Sequence, residues 1–359
     1  MNASLGGAPV LIAAGGTGGH VFPALVVAEE LMAREIPVIW IGTRKGIESR
    51  VVPAAGIKLE WMNVEGLRGK SVLHSLIAPL KLIRSLVQSL RVLSKYKPRA
   101  VLGMGGFVTG PVGIAAKIVG RPLVLHEQNA VPGLTNRLLS RFATRVLQAF
   151  PGSFAEKVHA ETVGNPVRGQ IGSEPRGLTE PNEPVRILVI GGSLGAKYFN
   201  ENLPQTLSLL GSAYSIWHQT GKNNAAAVVD GYRSLQLNNR VRVDEFIEEM
   251  GAAYQWADLI VCRSGAMTVS EVAASGLPAV LVPFPHAVDD HQTANAMFLV
   301  RAGAAKILQQ KDLTPALLAE NIKQLGGRAE LRKMGENARS VASPDAGKKV
   351  TDILLEVAA

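Results

Sequence analysis

Pro9-Val10-Leu11-Ile12-Ala13-Ala14-Gly15-Gly16-Thr17-Gly18-Gly19-His20 is an apolar run that ends in a glycine loop closed by a histidine. A short apolar run bounded by glycine reads as a buried strand, and glycine lets the chain turn sharply after it. Leu25, Val26, Ala28 and Leu31 then recur at helical spacing, and Pro37–Ile41 reads as a second strand. The same unit returns near residue 185. Val185–Ile190 is a strand, Gly191-Gly192-Ser193-Leu194-Gly195-Ala196 is the turn, and a helical stretch leads to the strand Tyr214–His218. Two strand–glycine loop–helix–strand units predict an α/β protein of two βαβ domains with parallel sheets. Ala100–Leu102 opens a third loop, Gly103-Met104-Gly105-Gly106, and Ala279–Val282 is a further strand. The Pro-, Gly- and Glu-rich stretch from Gly164-Asn165-Pro166 to about Pro184 reads as the linker.

The 359 residues suit two domains. With 47% hydrophobic and 19% charged residues, a largely disordered chain is excluded. A single cysteine, Cys262, leaves no internal disulfide framework and fits a reducing compartment. The long uncharged stretch Ala100–Ala116 is broken by five glycines and Pro111, so it does not read as a membrane span. Pro9–Ala14 is short and lacks a basic flank, so no secretory signal is expected. The expected address is the cytoplasm.

Charge is concentrated in one half. Between Gly66 and Ala155 stand thirteen Lys/Arg and one acid, Glu127, a block of +12 in a chain of net +9. Such a block suggests an extended anionic partner, set against a solvated basic face with no partner. Within it, Leu73, Leu76, Ile77, Leu80, Ile83, Leu86/Val87, Leu90 and Leu93 recur at helical spacing, and Pro79 starts or kinks the helix. Lys81, Arg84, Gln88, Arg91 and Lys95 fall on the opposite face. Trp61, Tyr96 and Phe107 are too scattered to stack single-stranded nucleic acid, and no nucleic-acid-binding signature appears. An anionic membrane surface is therefore preferred to nucleic acid. Leu76, Leu80, Lys81, Ile83, Arg84 and Arg91 are the candidate membrane residues. A stripe packed in the core is the other reading.

Each glycine loop is a candidate phosphate site, because backbone N–H groups and a helix start can meet an anion there. The first loop has Val21 where a dinucleotide fingerprint has its third glycine, and no Gly-Lys-Ser/Thr follows, which demotes nicotinamide dehydrogenases and P-loop enzymes. His20 closes that loop at the helix start and is the candidate base. His126-Glu127-Gln128-Asn129 follows the strand Leu123–Leu125, so Glu127 is the second candidate, with an ion pair to Arg137 or Arg141 as its structural alternative. His286, Asp289, Asp290 and His291 lie in a Pro-flanked stretch that reads as a polar loop. No spacing suits a metal, and a metal-independent, cofactor-free reaction is expected.

Together these loops resemble glycosyltransferase family 28, and within it the bacterial N-acetylglucosaminyltransferases that make lipid II of peptidoglycan. The resemblance rests on residues 15–23, 103–107, 126–129, 164–168, 191–196 and 263–271, in that order, and runs from about residue 9 to the C-terminus. It implies a GT-B fold, two Rossmann-like domains facing across a cleft. The N-terminal acceptor and membrane domain would be 1–165, with a last helix, 344–359, packing back on it. The donor domain would be 166–343. The donor would be UDP-N-acetylglucosamine (UDP-GlcNAc). The acceptor would be lipid I, undecaprenyl-diphosphate-MurNAc-pentapeptide, at the cytoplasmic face of the bacterial inner membrane, with cell-wall synthesis proteins as further partners. By resemblance, Arg168, Phe246 and Ile247 form the uracil pocket, and Glu271 accepts from the ribose hydroxyls. Ser193 and the Ala266–Thr268 backbone cradle the diphosphate within the run Ala266, Met267, Thr268, Val269, Ser270. Gln292 and Asn129 meet the sugar. Thr17, Gly18 and Gly19 line the first-domain side, and Gly103, Gly105 and Gly106 take the acceptor's diphosphate. The family often has Tyr where Phe107 stands, so a hydroxyl role is excluded there.

Three alternatives stay open at this level. A UDP-GlcNAc 2-epimerase on the same fold would need no acceptor and no basic apolar helix. A silent membrane-binding subunit would be expected to lose His20 or Glu271, and both are present. A diacylglycerol glycosyltransferase differs in acceptor alone.

Overall fold

The structure is a computed structural model. It describes residues 7–64, 72–169, 171–172, 180, 183–192 and 195–358, and the backbone alone for 72–78. Ser193 and the side chain of Leu76 lie outside the described residues. The chain divides into two compact units, residues 1–168 with 343–359, and residues 169–342.

Among its described residues unit 1 carries seven strands: β1 (Val10–Ala13), β2 (Val38–Gly42), β3 (Lys58–Trp61), β4 (Ala100–Gly103), β5 (Leu123–Glu127), β6 (Arg145–Gln148) and β7 (Glu161–Thr162). They form one sheet in the order β3-β2-β1-β4-β5-β6-β7, and every pairing is parallel. Its helices are α1 (Gly18–Ala33), α2 (Glu48–Ala54), α3 (Val72–Tyr96), α4 (Gly106–Ile118) and α5 (Leu134–Leu139), with one more from the end of the chain. Parallel strands need helical crossovers, which cover both faces, so central strands read as unbroken apolar runs. β1 shows the result. Val10 and Ile12 pack with Ala24, Val27 and Leu31 of α1, while Leu11 and Ala13 pack with Val108, Val112 and Ala115 of α4.

Unit 2 repeats the plan with six strands among its described residues: β8 (Val185–Ile190), β9 (Tyr214–Gln219), β10 (Val241–Asp244), β11 (Leu259–Cys262), β12 (Ala279–Leu281) and β13 (Ala305–Ile307). Their order is β10-β9-β8-β11-β12-β13, again all parallel. Its helices are α6 (Lys197–Leu210), α7 (Ala225–Ser234), α8 (Met250–Trp256), α9 (Ala266–Ser275), α10 (His291–Arg301), α11 (Pro315–Lys323) and α12 (Arg328–Ser340). Ile187, Val189, Phe199, Leu203 and Val261 anchor its core.

The final helix, α13 (Ala346–Val357), returns to unit 1 and packs on α1, where Val350, Ile353 and Leu354 complete the core. Two glycines permit the return. A Cβ on Gly347 would come within 2.9 Å of Val26, and one on Gly164, at φ +84°, within 2.2 Å of the Ser343 Cβ. The units divide after Arg168, three residues later than the sequence suggested.

Two local readings change. β5 runs through His126 and Glu127, which the sequence reading had placed beyond the strand. In α3, Leu93 is buried and Leu86 and Leu90 pack on the core, but Leu80 and Ile83 are 66% and 58% exposed. The side facing the protein instead carries the fully buried Ser85 and Ser89, whose hydroxyls donate to the carbonyls four residues back. The predicted stripe thus splits between core and solvent. Pro79 lies inside the helix, so it is not its start.

Candidate active site

His20 lies in the first turn of α1, whose N-cap is the exposed Thr17. Its Nδ1 is 2.8 Å from Gln128 Oε1. The protons along this contact can be assigned from the carbonyls around it. Gln128 Nε2 lies 3.0 Å from the His126 carbonyl oxygen, which can accept and never donate, so the amide is oriented with nitrogen on that side. The same nitrogen donates to His126 Nδ1 at 3.0 Å. His126 therefore carries its proton on Nε2, which donates to the Gly164 carbonyl at 2.9 Å. Burial pushes the His126 pKa down to about 4 against the pull of that carbonyl, which keeps the ring neutral at pH 7. At the other end the amide oxygen can only accept, so His20 donates from Nδ1, and Nε2 is the nitrogen turned away from this contact. An imidazole so oriented presents Nε2 as the candidate general base.

The glycines around His20 make that packing possible. A Cβ on Gly105 would sit 3.0 Å from the His20 ring, and one on Gly106 2.5 Å from the Gly15 carbonyl. Both take positive φ, so the first and third loops interlock through backbone. Gly103 differs: it is the buried last residue of β4, and a Cβ there would strike Thr109 and Leu125. Its smallness serves packing. A Cβ on Gly18 would meet the Phe22 ring, whereas Gly19 has room.

Glu127 is 2% exposed and both its oxygens are taken. Oε1 accepts from the Asn129 N–H and side-chain amide, and Oε2 from the Gly133 N–H and Asn136 Nδ2. Those partners stand where an ion pair with Arg137 or Arg141 was the structural alternative. The carboxylate organises the loop from Asn129 to Asn136 and so positions Asn129. Arg168 belongs to unit 1, with its guanidinium over the Phe22 ring at 5.4 Å.

In unit 2 the second and third glycines of the loop after β8 are constrained. Gly192 and Gly195 take positive φ, and a Cβ on Gly195 would meet the Thr220 carbonyl. After β11, the chain turns at Gly265 into α9, so the N–H groups of Ala266, Met267 and Thr268 begin a helix and have no carbonyl one turn back. Such a start attracts anions. Val269 is fully buried and serves the core, and the Ser270 hydroxyl donates to the Ala266 carbonyl. Glu271, one turn on, is 8% exposed, and its Oε2 accepts from the Tyr254 hydroxyl at 2.9 Å. Asn295 of α10 donates to the Ser264 carbonyl, which ties α10 to this turn. Gln292 accepts from the Phe284 N–H. Phe246 is largely exposed beside the buried Ile247 in the loop after β10. The loop before α10 is a tight polar turn: Asp289 and Asp290 take positive φ, Asp290 accepts from Thr293, and the His291 ring donates to the Val288 carbonyl.

Gln128 and Tyr254 contact candidate site residues, and sequence reasoning gave neither a role. Gln128 is 108 residues from His20, and Tyr254 lies on a seven-residue helix with no pattern of its own.

Residues 10–148 match the family model for the glycosyltransferase family 28 N-terminal domain, and residues 186–353 that for its C-terminal domain. The chain is 49% identical over 358 residues to a Shewanella amazonensis protein, covering 98% of each. That relative is named UDP-N-acetylglucosamine–N-acetylmuramyl-(pentapeptide) pyrophosphoryl-undecaprenol N-acetylglucosamine transferase. The crystal structure of Acinetobacter baumannii MurG matches with a TM-score of 0.85 at 41% identity, over 98% of this chain and 100% of that one. A kitacinnamycin glycosyltransferase shares the fold, with a TM-score of 0.72 at 17% identity over 98% and 99% of the chains. Both halves match along nearly their whole length and in order, and the chain belongs to glycosyltransferase family 28.

Proposed function

We propose that the chain makes lipid II: it moves GlcNAc from UDP-GlcNAc to the C4 hydroxyl of MurNAc in undecaprenyl-diphosphate-MurNAc-pentapeptide. The observation that carries this is the 49% identity over 98% of both chains with a relative named for that transfer. The 2-epimerase alternative gains nothing from such relatives.

Unit 2 is the donor side. Glu271, oriented by Tyr254, accepts from the ribose hydroxyls, and the start of α9 faces the diphosphate. Phe246 and the Ile247 backbone meet uracil, and Gln292 meets the sugar. Unit 1 is the acceptor side. His20 Nε2 takes the proton of the C4 hydroxyl as its oxygen attacks the anomeric carbon of GlcNAc. The bond from that carbon to the UDP oxygen breaks, and its electron pair leaves on the diphosphate. Attack opposite the leaving group turns the α-linked donor into a β-linked product through an oxocarbenium-like transition state. Helix N–H groups stabilise the charge that develops on UDP. A base at this step contributes ~10²–10⁴-fold, so acceptor placement matters comparably.

The chain works at an anionic membrane surface. The support is the +12 block and the solvent face of α3, where Leu80, Leu82, Ile83 and Val87 are exposed. No helix among the described residues is long and apolar enough to cross a membrane.

The test is UDP release from UDP-GlcNAc, with and without a short-chain lipid I analogue, in EDTA. Release that depends on the analogue is expected. Release without an acceptor would overturn the transferase reading, and loss of release in EDTA would overturn its metal independence.

A further inference from the structure

The first glycine loop is held from beneath by Glu48, the first residue of α2, which is fully buried. Its Oε2 accepts from the Gly16 N–H at 3.0 Å, and its Oε1 from the Thr43 N–H and hydroxyl, each at 2.8 Å. One carboxylate thus clasps the loop after β1 to the loop after β2. A buried charge is costly unless donors meet its oxygens, and here donors meet both.

Room for the side chain is written into the sequence. A Cβ on Gly15 would come within 2.6 Å of Glu48 Oε1, one on Gly42 within 2.6 Å of its Cγ, and one on Gly46 would strike its Oε2. The clasp also takes a backbone N–H that a phosphate in the first loop would use: Gly16, at φ +95°, serves the chain's own carboxylate. From there the path to His20 is short. The next residue, Thr17, is the N-cap of α1, and its carbonyl accepts from the His20 N–H at 3.1 Å and the Val21 N–H at 3.2 Å. On the other side of the loop, the Trp40 indole donates to the Ala14 carbonyl at 2.8 Å. Gln128 orients the His20 ring, whereas these contacts place the backbone that carries it.

We infer that Glu48 is a positioning residue for the transfer: its two oxygens fix Gly16 against Thr43, which sets the first turn of α1 and the place of His20 Nε2. The assignment rests on the reading of His20 as the base. A carboxylate suits the task and an amide does not. Gln at this position has one acceptor oxygen and must turn its NH₂ towards either Gly16 or Thr43, both of which donate.

The variants are Glu48→Gln, which keeps the shape and breaks half of the clasp, and Gly46→Ala, which keeps the carboxylate and displaces it. Steady-state kinetics of the full-length enzyme use UDP-GlcNAc and a water-soluble lipid I analogue. Each variant is expected to lower kcat roughly ten- to a hundredfold, the scale of a ~1 Å misplacement, with the donor KM within about twofold. Val38→Ala, a cavity at the first residue of β2 and so at the far end of that strand from Thr43, is the control for lost stability. It should lower the urea midpoint and leave kcat unchanged. If kcat falls no further in the two clasp variants than in Val38→Ala, the proposal is overturned. A double-mutant cycle traces the route. In the His20→Ala background Glu48→Gln should cost less than about twofold more, and a further loss of about tenfold there would overturn the proposal, because the effect would not pass through His20. If the wild-type enzyme does not turn over the analogue, or His20→Ala alone leaves kcat near normal, the functional reading is what fails, and histidine NMR then decides the placement alone. The His20 ring signal, assigned by its loss in His20→Ala, should move in both clasp variants and stay in Val38→Ala; a signal unmoved in the clasp variants overturns the proposal.

Discussion

His20 Nδ1 and Gln128 Oε1 are 2.8 Å apart, and the amide between His20 and His126 fixes the tautomer of both rings. His20→Ala should lower kcat ~10²–10⁴-fold with the donor KM nearly unchanged. Gln128→Leu should keep the ring but free its tautomer, and lower kcat ~10-fold or more. A pH–rate profile distinguishes this from a structural effect: the acid limb of kcat moves in Gln128→Leu if the amide sets the proton on His20, and stays in place if it does not.

Tyr254→Phe removes one hydroxyl from Glu271 and no packing volume. A hydrogen bond to a charged group contributes ~1.5–3 kcal/mol, so the donor KM should rise about tenfold with kcat little changed. Glu271→Ala should raise it further. Donor titration by calorimetry checks both, and an unchanged donor KM in Glu271→Ala would remove that residue from the ribose site.

Acid should destabilise the protein through two buried histidines. Burial lowers His126 to about 4 and His218 to about 3 from an ordinary 6.5. Between those values the unfolded chain binds protons that the folded one does not, so stability is whole above about pH 6.5 and falls as pH drops towards 4. The His126 shift corresponds to ~3 kcal/mol at its limit. Urea midpoints from pH 7.5 to 4.5 should fall accordingly, and His218→Gln should flatten the slope.

Gly164→Ala meets two obstacles at once, a φ of +84° and the Ser343 Cβ at 2.2 Å. A loss of ~2 kcal/mol or more is expected in chemical denaturation. Because the Gly164 carbonyl also accepts from His126, kcat should fall as well.

Leu80→Ser with Ile83→Ser replaces two exposed apolar side chains on α3. Binding to phosphatidylglycerol vesicles should weaken at least tenfold, with kinetics on a soluble acceptor analogue unchanged; removing ~3 CH₂ equivalents from each side chain at ~0.8 kcal/mol per CH₂, about 5 kcal/mol for full insertion of both, sets the upper bound. Equal sedimentation with vesicles would return α3 to a solvated face.

The parallel sheets were legible because Val10–Ala13 and residues 187–190 are buried on both faces, which writes a continuous apolar run, and because glycine follows each. His20 was legible from its place after such a run. The α3 stripe was only half legible because a solvent-facing leucine and a core-facing leucine carry the same sequence signal, and because Ser85 and Ser89 satisfy their hydroxyls within the helix and so can be buried. The end of β5 was misread because polar residues normally end a strand, whereas His126 and Glu127 are satisfied in place by Gly164, Asn129, Gly133 and Asn136. Contacts such as Gln128 with His20 or Glu48 with Gly16 join residues far apart in the chain, and no local pattern marks them.

The return of α13 to unit 1 bears on how the protein is born. Unit 2 is one continuous stretch, residues 169–342, and all its parts have been synthesised before the last helix is translated. Unit 1 begins earlier but waits for Val350, Ile353 and Leu354 to close over α1. The half that leaves the ribosome first is therefore the half that finishes last, and until then the apolar face of α1 is open to chaperones or to another nascent chain.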